Sequence, residues 1–263
     1  MPAGIKYNTN PIEGTMPEML RYDTVYRYSG GFNLDISNLS GVKQIPPVTP
    51  LSLDFKNRKA KAVINVKAVE ALASDGTALK VKKGSLAYVG MVIGNGKKIA
   101  TVSAIDKTNA GYDTLTISAL GDAISSNEVL FEVEAYKITA NVAADATTAK
   151  VTKGAPVKVG DTVNIGGIET TVSAIDTSNE NYDSLTITAL GTAKSSNAAA
   201  FTVGQQKTTA KALNYAWTKV EEGATVTAIG RAFEIKESKL IAPVSEKDKE
   251  SLGDRFMFID DAD

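Results

Sequence analysis

One stretch of this chain occurs twice. Residues 101–121 read TVSAIDKTNAGYDTLTISALG, and residues 171–191 read TVSAIDTSNENYDSLTITALG. The offset is 70 residues. It holds without a gap from Lys80–Val133 to Lys150–Val203, with roughly half of the aligned positions identical. Self-similarity at a fixed period constrains architecture before any local propensity does. It predicts two similar units in tandem, with unlike segments on either side. Fainter echoes (Lys67 with Lys137, Asp75 with Asp145, Thr77 with Thr147) extend the units to 64–133 and 134–203.

Inside each unit the pattern is β. In the second copy Val157 and Val159 alternate up to a Gly160-Asp161 turn, and Thr162 to Ile165 alternates again. Gly166-Gly167 then reads as a two-residue hairpin connection, and Asn95-Gly96 is the strongest such signal in the first copy. A strand over 171–175, a loop over 176–183 and a strand over 184–190 follow. Short strands with frequent turns predict a small barrel or sandwich. A unit of this size is marginal alone, so contact with a neighbour is expected.

The flanks differ. Residues 1–50 hold six of the eight prolines and four of the nine tyrosines. Proline removes a donor and biases its predecessor to extended backbone, so this part reads as an extended arm without a sheet of its own. Its many apolar groups predict ordering on another surface. PPVTP, Pro46 to Pro50, reads as a stiff hinge. Residues 51–133 then form an opening strand with alternating Ala60, Ala62 and Ile64, followed by the first β-module; 134–203 is the second. Residues 204–263 leave the repeat. Ala224 to Ile235 is strand-like with an interruption at Gly230, and Ser245 and Asp248 mark a capped short helix ending near Gly253. Arg255 to Ile259 is a last apolar strand. The expected fold is mainly β: an arm, two tandem barrel or sandwich repeats, and a β-rich C-terminal segment with one short helix.

Composition narrows the chemistry. The chain has no cysteine and no histidine, which removes thiolates, disulfides, imidazole bases and the commonest transition-metal ligands. A net charge of −1 gives no basic excess for nucleic acid. No run of eighteen apolar residues predicts a membrane span, and MPAGIKYNTN has no apolar core of a secretory signal. The expectation is a protein that is not an enzyme, takes no cofactor and is made in the cytoplasm.

Candidate sites follow from the repeated loop. Asp106, Asn109 and Asp113 match Asp176, Asn179 and Asp183. Oxygen ligands at this spacing suggest Ca²⁺, but Asx residues also build turns through their own backbone contacts, which the sequence favours. Tyr112 and Tyr182 cover a barrel end or offer a platform for a glycan. The sole tryptophan, Trp217, reads as a core or interface anchor. With Phe233, Phe256 and Phe258 it forms the expected homo-oligomer interface, a trimer ahead of a dimer.

Two segments carry a resemblance. GRAFEIKESKLIAPVSEKDKESLGDRFMFID (230–260) and PVTPLSLDFKNRKAKAVINVKAVEA (47–71) resemble head fibre proteins of tailed phages that infect gut Bacteroides, including crAss-like phages. The duplication lies outside that pattern, as a spacer or decoration between an anchor and a tip. The resemblance implies a non-enzymatic virion protein on the capsid surface, assembled in the host cytoplasm. It implies that the N-terminal arm docks on the major capsid protein, through Tyr7, Met19, Leu20, Tyr22, Tyr26, Tyr28 and Phe32. A tandem β-domain adhesin for mucin or surface glycan, independent of any capsid, is the other reading.

Overall fold

The computed structural model describes residues 20–259. The molecule is mainly β, in several sheets, with a single short helix among the described residues. Before the repeats lie Tyr26–Arg27 (β1), Phe32–Asp35 (β2), Gln44–Ile45 (β3), Pro50–Asp54 (β4) and Lys59–Ala62 (β5). The first repeat holds Asn65–Lys67 (β6), Ala78–Lys82 (β7), Val92–Gly94 (β8), Ile99–Asp106 (β9), Tyr112–Ile117 (β10) and Val129–Glu132 (β11). The second holds Ala135–Lys137 (β12), Thr148–Thr152 (β13), Thr162–Ile165 (β14), Ile168–Asp176 (β15), Tyr182–Ile187 (β16) and Ala199–Thr202 (β17). Ala212–Asn214 (β18), Thr218–Lys219 (β19), Thr225–Val226 (β20), Ala228–Lys236 (β21), helix Glu246–Leu252 (α1) and Phe256–Ile259 (β22) follow.

The two flanks of the repeat share one sheet. Its order is β1-β21-β18-β4-β5-β2-β20, with β22 also on β21. Alternation drives it: Leu51 and Leu53 of β4, and Ala60 and Ala62 of β5, turn inward and are buried. β2 lies parallel to β5, pairing Leu34 with Ala60, and antiparallel to β20, pairing Phe32 with Val226. Only Thr227 separates β20 from β21, so the pairing path ends beside its start and the sheet curls into a half-barrel. Gly230 does not interrupt β21. It makes room for the Tyr28 ring, since a Cβ there would lie 2.8 Å from Tyr28 Cζ.

This corrects the reading of residues 1–50 over its described part. Residues 26–50 are sheet and bonded turn, not a separate arm. Pro50 opens β4, a position where a missing donor is tolerated, and its carbonyl accepts from the Val63 N–H at 2.9 Å. PPVTP is buried within the fold rather than standing as a stiff hinge between units. The Pro46 carbonyl accepts from Thr49 Oγ1 at 2.7 Å and Asn214 Nδ2 at 2.9 Å. Residues 1–19, with Tyr7 and Met19, lie outside the described residues.

The repeats have one topology. The first runs β6-β11-β8-β9-β10-β7, the second β12-β17-β14-β15-β16-β13. In each, a bridge joins the two ends, Ala68 with Val81 and Ile138 with Val151. Each repeat is therefore a small closed barrel. The hairpins differ. In the second barrel Ile165 pairs with Ile168 and Gly166-Gly167 is the connection. In the first, Gly94 pairs with Ile99, and the longer connection is held by Asn95 Oδ1, which accepts from the Lys97 and Lys98 N–H groups at 3.0 Å each. Asn95-Gly96 is thus not a two-residue turn.

The cores divide unevenly. One continuous apolar cluster runs from Phe32, Leu51 and Leu53 of the half-barrel into Leu79, Ile93, Leu115 and Leu130 of the first barrel. The second barrel has its own, around Ile138, Val163, Leu185 and Ile187. A small cluster of Phe131, Val133 and Phe201 joins the barrels. Phe131 and Phe201 are the same position in the two copies.

Candidate functional site

The repeated loops hold a lysine. Asp113 is fully buried; its Oδ2 accepts from the Gly84 and Ser85 N–H groups at 3.1 and 3.0 Å. Its Oδ1 lies 2.9 Å from Lys83 Nζ. The same ammonium donates to the carbonyls of Lys107 and Asn109, both at 2.7 Å. The arrangement recurs in the second copy. Lys153 Nζ donates to the Thr177 carbonyl at 2.6 Å and to Asp183 Oδ1 at 2.9 Å, while Gly154 N–H donates to Asp183 Oδ2 at 2.7 Å. Lys153 and the Gly154 N–H outweigh desolvation and hold the Asp183 carboxyl below its ordinary value.

The other loop residues build turns. Asp106 Oδ1 accepts from Thr108 N–H at 2.9 Å and its hydroxyl at 2.7 Å; Asn109 Oδ1 accepts from Gly111 N–H at 2.8 Å. Asp176 and Asn179 bond Ser178 and Asn181 N–H groups, each at 2.9 Å. These donors lower the Asp106 and Asp176 carboxyls, backbone N–H first. The six residues weighed as calcium ligands therefore divide into four turn formers and two lysine partners. Among the described residues no three acidic side chains converge into a metal-binding group. The pairing left a sequence signal: Lys83 precedes Asp113 by 30 residues, as Lys153 precedes Asp183.

Tyr112 and Tyr182 are half-buried at equivalent strand starts. Lys80 Nζ lies 5.1 Å from the Tyr112 ring centroid and Lys150 Nζ 4.5 Å from that of Tyr182. One ring face therefore carries an ammonium in each copy, a cation–π contact.

The aromatic residues of the half-barrel take two fates. Leu20 and Phe32 are core, 3% and 1% exposed, so neither is free to meet a capsid. Tyr28 meets Phe32 and Phe55 edge-to-face, at 6.4 and 5.2 Å, and its hydroxyl accepts from Arg255 at 3.1 Å. Tyr22 and Tyr26 stay outside, 54% and 62% exposed. Of the residues expected at an oligomer interface, Phe256 is core; the correction follows from β22 docking on β21 beside Leu252. Phe258 packs on the same cluster, under Lys249 at 5.7 Å. Phe233 is half-buried with Arg231 at 5.9 Å, and Trp217 is half-buried.

Sequence reasoning found the capping box but missed what it holds. Ser245 Oγ accepts from Asp248 N–H at 3.0 Å, and Asp248 Oδ2 accepts from Ser245 N–H at 3.3 Å. The same buried carboxylate accepts from Asn65 Nδ2 at 2.7 Å, Ala210 N–H at 2.8 Å and Gln206 Nε2 at 3.1 Å. Ser245 donates in turn to Gln206 Oε1 at 2.6 Å. Asn65 starts the first barrel and Gln206 follows the second, so this network clasps both ends of the repeat pair to α1. A second clasp lies beside it. Tyr88 donates to Glu132 at 2.6 Å, and Lys207 reaches Glu132 at 3.0 Å and Glu134 at 3.4 Å. Burial, then the Glu132 carboxylate, pushes the Tyr88 hydroxyl up to about 12.

Set against known proteins, the chain matches no family model and no curated sequence.

Proposed function

We propose that this chain is a non-enzymatic virion protein, a head fibre that sits on a phage capsid by its half-barrel and displays its second barrel. One observation carries the reading. The two barrels form a single insertion between β5 and β18, the flanks close into one half-barrel, and the second barrel has a core of its own. A decorating protein needs a seat and an outlying unit, and this division supplies both. Exposed Tyr22 and Tyr26 give the seat amphipathic aromatic area of the kind that anchors interfaces. The segments that resemble Bacteroides phage head fibres, 47–71 and 230–260, fall largely on this half-barrel and on the strand that leaves it. The partners are the major capsid protein and further copies of the chain.

The test is capsid binding by three proteins: the full chain, a chain lacking 134–203, and Tyr22→Ser/Tyr26→Ser. Fibre-free capsids are incubated with each and imaged by electron microscopy. The shortened chain is expected to decorate as the full chain does. The double tyrosine variant is expected to bind about tenfold more weakly or worse. A folded chain without 134–203 that no longer decorates contradicts the half-barrel as the seat.

A further inference from the structure

Like charges are paired where the first barrel meets the half-barrel. The bridge between Ala68 and Val81 sets Lys67 and Lys82 opposite each other across β6 and β7. Like charges directly opposite on antiparallel strands are destabilising. Lys82 Nζ donates to the Ser238 carbonyl at 2.8 Å, which draws it towards Lys239. All three side chains are half-buried. Burial, then the charges of Lys67 and Lys239, lowers the Lys82 ammonium from its ordinary value. Nearby carboxylates are already committed, Glu237 to Lys249 at 2.7 Å and Glu70 to Lys80 at 2.9 Å.

The second barrel lacks this arrangement. Lys137 is the counterpart of Lys67, but Thr152 stands where the first copy has Lys82. The Thr152 hydroxyl donates to the Lys137 carbonyl at 3.1 Å. The barrel fold thus accepts a neutral residue here, and nothing in its packing demands an ammonium. The charge belongs to the copy that abuts Lys239.

We propose that Lys67, Lys82 and Lys239 bind a compact oxyanion at the seam between half-barrel and first barrel. Ammonium donors gathered at one seam suit a sulfate, phosphate or carboxylate group, through charge-assisted hydrogen bonds. The oxyanion has two sources. One is free sulfate or phosphate. The other is the chain's own Asp260, Asp261 and Asp263, which follow Ile259; Ile259 pairs with Lys236, three residues before Lys239. A bound anion cancels the repulsion and fastens the two units together.

Thermal unfolding of the full chain tests this, in sodium sulfate against sodium chloride at equal ionic strength. Lys82→Thr supplies the reference for general salt effects on stability, since the second barrel already carries threonine there. Each is measured in the natural background and with Asp260→Asn, Asp261→Asn and Asp263→Asn together. With sulfate tenfold above its dissociation constant, the midpoint rises roughly 3–6 °C more with Lys82 present than with threonine. An equal excess in both backgrounds assigns the site to the free ion. A larger excess with the asparagines assigns it to the chain's own aspartates. No excess in either background overturns the proposal.

Discussion

The two barrels began as one sequence and now hold different posts. Leu115 and Leu185 occupy the same position, 0% and 1% exposed. Yet Leu115 belongs to a core that continues into the half-barrel, and Leu185 to one that stops at the barrel wall. The Lys83–Asp113 and Lys153–Asp183 clasps are held in both copies, so they serve the barrel itself. The clasps at Asp248 and Glu132 serve only attachment: Asn65, Tyr88 and Glu132 have Ala135, Lys158 and Thr202 as their counterparts. The two copies share the barrel and differ in attachment: the first shares its core with the half-barrel, and the second keeps a core of its own.

That contrast can be broken by substitution. The largest effect is expected at Asp248. Alanine there leaves buried donors from Asn65, Gln206 and Ala210 without an acceptor, at a cost of about 3–5 kcal/mol. The sole tryptophan, Trp217, follows β18 of the half-barrel and precedes β19, so denaturant unfolding followed by its fluorescence reads that loss. The second barrel is expected to unfold at its old midpoint, read by circular dichroism. A matched core pair comes next. Leu115→Ala and Leu185→Ala each remove about 2–5 kcal/mol from their own unit. Only Leu115→Ala is expected to move the tryptophan transition.

Acid provides a finer probe. The folded Asp183 carboxyl sits below its unfolded value of 3.8. Its stabilising contribution is therefore present above pH 3.8 and lost as pH falls through the lowered folded value. The midpoint of the second barrel is expected to fall between pH 4 and pH 2, and to fall less steeply in Asp183→Asn. The smallest effect is expected from removing 134–203, which joins Val133 to Gly204. It uncovers little beyond Phe131 and Val133, so the tryptophan transition shifts by about 1–2 kcal/mol. A much larger loss makes the second barrel a structural support rather than a passenger.

The sequence displayed what is local or repeated. The gapless offset located both barrels, and Ser245 with Asp248 located α1. The half-barrel was hidden because its pairings cross the whole insertion; Leu51 meets Ala212 with no local trace of it. Prolines misled for a related reason. Pro46 and Pro50 are breakers by propensity, but Asn214 bonds the Pro46 carbonyl from 168 residues away and Val63 bonds that of Pro50 across the β4–β5 hairpin. Of the candidate sites, the Asx turns were legible because each closes within two residues. The Asp248 network was not, since Asn65 reaches it across 183 residues. Tyr22 and Phe32 look alike in sequence; the pairing of β2 with β5 and β20, with Tyr28 and Phe55 against the ring, buries the second.

Hydrogen exchange of the full chain, followed by mass spectrometry at rising denaturant, tests the division most directly. Peptides from β1–β11 and β18–β22 are expected to share one opening free energy, with peptides from β12–β17 following another. A single free energy common to all strands would contradict the account.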